Sequence, residues 1–200
     1  MTASEKQYLL SLARRTLEQY FDEKTIIEVD EEYMPSFVFH EKRGVFVTLT
    51  KHGELRGCMG NLEAGKVLYQ AIIENVLAAA LFDPRFPPVS QEELPHLKIE
   101  ISILSEMKKI TNLETPEQLL AYLEKKKPGL VIKTLTYPIR EATFLPQVWQ
   151  DLPEPEEFVN NLCLKAGLPA DYWKEVKKVE FWEYTAETFQ EGEDFDAIKG

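Results

Sequence analysis

Cysteine is scarce in this 200-residue chain: only Cys58 and Cys163 occur, 105 positions apart and outside any CxxC spacing. That excludes a disulfide framework and argues against a thiolate zinc site. Histidine is scarce too, with three residues, and none stands in a metal-ligand spacing. Long apolar runs are missing. The longest, Val76 to Phe82, is far too short to span a bilayer. Positive charge is outweighed: 23 Lys and Arg face 34 Asp and Glu, for a net charge of −11. Bulk affinity for nucleic acid or for anionic membranes is therefore not expected, because both depend on clustered Lys and Arg. No P-loop, dinucleotide fingerprint or nucleophile elbow is present, so the sequence names no cofactor. No charged segment followed by an apolar stretch opens the chain, and with so little cysteine the expected compartment is a reducing cytoplasm.

What is present is core material. Apolar residues make up 44% of the chain, with eleven Phe, eight Tyr and three Trp. A chain of this length buries roughly 70% of its unfolded surface without staples. The negative charge is concentrated: six acids against Lys24 between Asp22 and Glu32, and Glu191, Glu193, Asp194 and Asp196 against Lys199 in the tail. These read as a solvated loop and a frayed acidic tail over 190–200.

Periodicity supplies the elements. A capping-box pattern at Ser4 and Gln7 opens an amphipathic helix over 4–21. Ser36 to His40 reads as a short strand. Gly44 to Lys51 reads as a longer one, its Val45, Val47 and Leu49 on one face and Phe46, Thr48 and Thr50 on the other. His52-Gly53 is a turn, so Glu54 to Cys58 pairs back as a hairpin. Val67 to Phe82 is a helix stopped at Asp83-Pro84. Leu97 to Ile103 alternates as a half-buried strand. Thr115-Pro116-Glu117-Gln118 caps a third helix. Short strands follow at 130–134 and 141–145, helices at 156–166 and 170–176, and a last strand over 178–189. Hairpins mixed with helices predict an α+β fold with a mainly antiparallel sheet. The expected organisation is one domain over 4–189, with a smaller subdomain at roughly 106–143.

Chemistry concentrates at Leu55-Arg56-Gly57-Cys58-Met59-Gly60. Glycines beside a cysteine at a strand end let a ligand or another backbone approach closely. Arg56 lies two residues from Cys58 and would share its face. A guanidinium beside a thiol favours the nucleophilic thiolate. The alternative is a small buried cysteine in a tight bend. Of the histidines, His52 sits in the hairpin turn, His40 could approach Cys58, and His96 precedes a strand; no spacing marks a dyad. Asp83-Pro84-Arg85-Phe86-Pro87-Pro88 reads either as a helix stop with Asp83 and Arg85 paired or as a rigid loop presenting Arg85 as an anion clamp. In Leu145-Pro146-Gln147-Val148-Trp149, Gln147 can donate and accept at a rim.

These segments, with Glu93-Leu94, Ile99-Glu100-Ile101-Ser102, Arg140 to Val148 and Leu162 to Pro169, resemble in order the AMMECR family. The resemblance runs from about Tyr8 to Phe189. Met59 stands where the family signature usually has Ile. The resemblance implies an α+β protein of two subdomains, a stand-alone cytoplasmic version of the family, and an Arg-Gly-Cys-Met-Gly loop in a cleft. It places Arg56, Gly57, Cys58 and Gly60 in the site, with Asp83, Arg85, Glu100 and Gln147 as its walls. It also implies pathway partners of the Memo-like and radical SAM types, without implying a reaction. Three functions stay open: an enzyme using Cys58 and Arg56 on a small anionic or nucleotide-like substrate, an adaptor working with those partners, and a nucleic-acid factor, which the charge disfavours.

Overall fold

The computed structural model describes residues 1–193. Within them lie helices α1 (Ala3–Glu23), α2 (Leu68–Leu81), α3 (Pro116–Lys126) and α4 (Pro155–Lys165). The strands are β1 (Val45–Lys51), β2 (Glu54–Asn61), β3 (Leu97–Leu104), β4 (Lys108–Lys109), β5 (Gly129–Thr134), β6 (Glu141–Phe144), β7 (Val179–Tyr184) and β8 (Ala186–Gln190). The strands form two four-stranded sheets, ordered β2-β1-β3-β8 and β4-β7-β5-β6. The protein is α+β with antiparallel ladders, as the mixture of hairpins and helices predicts.

Two compact units follow from these sheets. The first holds Met1–Leu104 and resumes at Glu187; the second is Ser105–Ala186. In the first, the inward faces of β1 (Val45, Val47, Leu49) and β3 (Ile99, Ile101, Ile103) are buried with Leu9, Leu17, Leu68, Ile72 and Val76 of α1 and α2. The helices thus cover one face of the sheet, leaving the face that carries Thr48. In the second, Leu130, Ile132 and Phe181 pack with Leu119, Leu123, Phe158 and Leu162 from α3 and α4, and Trp149 stacks on Phe158 at 3.7 Å. This unit takes in residues 106–143 and continues to Ala186, because β7 lies between β4 and β5.

Several local expectations are corrected. The first capping box is Thr2 with Glu5, not Ser4 with Gln7: the Glu5 carboxylate accepts from the Thr2 N–H at 2.7 Å and from the Ser36 hydroxyl at 2.6 Å. A carboxylate makes the stronger, charge-assisted cap. Residues Phe37–His40 form a 3-10 turn rather than a strand, because the Ser36 hydroxyl accepts from the Val38 N–H and draws the backbone out of extension. The helix expected over 170–176 is a single 3-10 turn, Tyr172–Lys174. The strand read over 178–189 is two strands, β7 and β8, which part at Thr185 and join different sheets. Glu191 is not frayed: Arg14 donates to it from Nε and Nη2, and so does the Ile99 N–H at 2.9 Å. Asp194, Asp196 and Lys199 of the tail lie outside the described residues. No helix among the described residues is long and apolar enough to cross a membrane.

Candidate active site

The hairpin β1–β2 closes on His52 and Gly53, both with positive φ (54° and 88°), the geometry of a two-residue turn. Counting back from it, Lys51 faces Glu54 and Thr50 faces Leu55, but Leu49 faces Gly57. The extra residue is Arg56, a β-bulge that re-aims its side chain. Beyond the bulge Thr48 faces Cys58 on β2 and Glu100 on β3, so Cys58, Thr48 and Glu100 form one row across three strands. The row lies on the face turned away from α2. Cys58 is half-buried, and its Sγ accepts a hydrogen bond from the Thr48 hydroxyl at 3.2 Å. Glu100 is half-buried as well. Burial pushes its pKa up, with repulsion from Glu193 adding to the effect.

Strand β2 is an edge, and its outward backbone groups at Cys58 need partners. Asp83 and Arg85 supply them. The Cys58 N–H donates to Asp83 Oδ2 at 2.8 Å, and Arg85 Nη2 approaches the Cys58 carbonyl at 3.4 Å. Asp83 in turn accepts from the Arg85 backbone N–H (3.1 Å), Nε (2.9 Å) and Nη2 (2.7 Å). The Arg85 guanidinium holds the Asp83 carboxyl far below the usual carboxylate range. The reverse also holds: Asp83 first, and then the facing Cys58 side chain, stabilise the charge on Arg85. The carboxylate is almost fully buried, at 2% exposure, whereas the Arg85 side chain is 54% exposed. The loop therefore offers a fixed cation, open to solvent, beside the thiol.

Arg56, expected as that cation, is committed elsewhere. Its Nε and Nη2 donate to Glu93 at 3.0 Å each, and its Nη1 and Nη2 donate to the carbonyls of Pro87 (2.9 Å) and Pro88 (3.3 Å). Lys51 and the Ser90 N–H complete the ring around Glu93, which Arg56 above all holds down to about 2. Arg56 thus fastens the proline loop to β2 and positions Arg85. Gly57 faces α2: a Cβ there would stand 2.1 Å from the Ala79 carbonyl oxygen. Gly60 lies on the Cys58 side, where a Cβ would meet the Phe46 ring at 2.5 Å. Both are glycine because something packs against the backbone. Gln147 belongs to the second unit, in the 3-10 turn Pro146–Gln150.

The histidines go elsewhere: His52 meets His96 with ring centroids 5.4 Å apart, and His40 packs edge-on to Tyr69 at 5.9 Å. Cys163 is buried, and burial pushes its thiol up to about 11. Among the described residues no group of three or more His, Cys, Asp or Glu is placed to hold a metal ion. Sequence reading missed Thr48 and the anchoring role of Glu93. Hairpin counting from the His52-Gly53 turn leads to Thr48, provided the bulge at Arg56 is allowed for. The arrangement can present a hydrogen-bonded thiol and a half-buried carboxyl on one sheet face, with a fixed guanidinium at its β2 edge.

Comparison with known proteins agrees with the fold and with the family that the sequence resembles. The sequence profile described as AMMECR1 matches residues 10–189. Protein MK0488 of Methanopyrus kandleri is 36% identical, over 96% of this chain and 91% of its own length. Protein Mbar_A1807 of Methanosarcina barkeri is 38% identical, over 92% and 89%. The crystal structure of uncharacterized protein PH0010 from Pyrococcus horikoshii superimposes with a TM-score of 0.81 at 34% identity, covering 92% of this chain and 90% of that one.

Proposed function

The chain belongs to the AMMECR1 family, and from that premise we propose that it is a thiol-dependent enzyme acting on a small anionic or nucleotide-like substrate. Cys58 is the nucleophile, Arg85 receives the substrate's negative charge, and Glu100 serves as the proton donor. The observation that carries this reading is the placement of Cys58: partly open, hydrogen-bonded by Thr48, and facing a guanidinium that a buried carboxylate holds still. A preset Arg recognises carboxylate or phosphate without first losing rotamer freedom. Burial around Glu100 favours its protonated form, the state a general acid needs. A reducing cytoplasm, the proposed compartment, would keep the thiol available.

The chain carries its own control for the test. At neutral pH iodoacetamide should label Cys58 and spare the buried Cys163. Arg85→Ala should slow that labelling several-fold. Metabolites captured by the wild-type protein and by Cys58→Ala, compared by mass spectrometry, should then differ by an anionic species lost from the variant. A Cys58 that resists the reagent in the folded protein sinks the nucleophile. Equal metabolite profiles would favour the second reading, an adaptor in which the same rigid loop forms a groove for Memo-like or radical SAM partners.

A further inference from the structure

The second unit contains a cleft of about 700 Å³, within the usual range for small-molecule sites. Its charged lining is Lys108, Lys126 and Lys127 against Glu106 and Glu183, a local excess of one positive charge in a chain of net charge −11. Pro128 and Pro146 supply rigid apolar wall. The three lysines are not equivalent. Lys126 is engaged: its ammonium donates to Glu183 at 3.1 and 3.4 Å and to the Tyr122 hydroxyl at 2.7 Å. Lys108 faces Glu183 across the β4–β7 ladder, but that carboxylate is already taken by Lys126, and Lys108 has no ion pair among the described residues. Lys127 leaves α3 at φ 44° and, among the described residues, reaches the Pro153 carbonyl, at 3.5 Å, and the Trp149 ring, 5.8 Å from its centroid, with no ion pair. Two lysines with no ion pair among the described residues, Lys108 and Lys127, therefore line one concave space with apolar wall beside them.

From this we infer that the cleft of the second unit binds a small organic anion, its charged group on Lys108 and Lys127 and its apolar body against Pro128 and Pro146. The anionic group is a carboxylate or a phosphate, since a lysine accepts either as a point charge. All of its lining residues belong to the second unit.

Isothermal titration of the full-length protein with phenyl phosphate, benzoate, inorganic phosphate and phenol tests it. Phenyl phosphate or benzoate should bind at least tenfold more tightly than inorganic phosphate or phenol, and the stronger of the two identifies the anionic group. Lys108→Ala combined with Lys127→Ala should weaken that binding at least tenfold, and the double Lys→Arg variant should restore it. All these side chains are exposed, and unchanged melting curves will verify that the variants fold. Arg85→Ala should leave unaltered the binding that the double Ala variant loses. Four results would overturn the inference: no binding of either aromatic anion to the wild type at millimolar concentration, inorganic phosphate binding as tightly, full affinity in the double Ala variant, or loss of that same binding on Arg85→Ala. The last would assign the anion to the Cys58 site instead.

Discussion

At the scale of single residues, the thiol's surroundings depend on Glu93, a residue that touches neither Cys58 nor Arg85. Its carboxylate gathers Arg56, Lys51 and the Ser90 N–H, and through Arg56 it fixes the carbonyls of Pro87 and Pro88. Folding takes its pKa from 4.5 to about 2, so the folded state favours the ionised form. The stability this contributes is present above pH 4.5 and is lost as pH falls through 2. Asp83 acts in the same direction. Glu100 acts in the opposite one, because a raised pKa favours the folded state only at low pH. Through Glu93 and Asp83, thermal stability should therefore decline as pH falls from 4.5 towards 2, with Glu100 offsetting part of the decline. Glu93→Gln should remove part of that decline, at most about 3 kcal/mol by linkage. Melting curves across pH 2–7 for both proteins will check it. An unchanged slope in the variant would mean that Glu93 contributes no pH-dependent stability.

At the scale of elements, the close approach of α2 to β2 decides where the site can be. The Ala79 carbonyl of α2 lies where a side chain of residue 57 would begin. Gly57→Ala must push the helix away from the strand. It should cost about 1–3 kcal/mol, the usual range for overpacking, and loosen the Cys58 N–H to Asp83 bond on the next residue. Urea denaturation will give the first effect and amide hydrogen exchange at Cys58 the second. Stability equal to wild type would show that the helix can shift freely.

The glycines of the hexapeptide, the alternation in β1 and β3, and the stop at Asp83-Pro84 all declare themselves in the sequence, because each follows from local sterics or period. The bulge at Arg56 does not. A strict hairpin count from His52-Gly53 sets Thr48 against Gly57, one residue short of its partner Cys58. The exchange of cations has the same origin. Spacing put Arg56 beside the thiol, whereas Arg85, 27 positions away, comes there only because Asp83 caps the Cys58 N–H. Such caps depend on long-range closure, which residue periodicity does not encode. The break of the last strand at Thr185 is hidden likewise, since β-branched and aromatic residues continue through it.

At the scale of the whole molecule, the second unit is an insertion. The chain leaves the first unit after Leu104 and resumes it at Glu187, while β3 and β8 remain neighbours in one sheet and Ser102 and Thr188 share a hydrogen bond of 2.9 Å. The ends of the insertion meet each other: the Ser105 N–H donates to the Thr185 carbonyl at 2.9 Å, and the Thr185 N–H donates to the Ser105 hydroxyl at 3.0 Å. Adjacent ends are what allow one folding unit to sit within another. The second unit also has a core of its own around Phe158, Trp149 and Ile132. The fragment 105–186 should therefore fold alone, with a cooperative thermal transition and dispersed amide resonances. In the reciprocal chain, a short Gly-Ser linker replacing 105–186 should preserve the β3–β8 pairing and the iodoacetamide reactivity of Cys58. A fragment that melts without cooperativity would show that its core needs the rest of the chain. Loss of Cys58 labelling in the reciprocal chain would show that the thiol needs the second unit, so the two shortened chains test the two sides of the division separately.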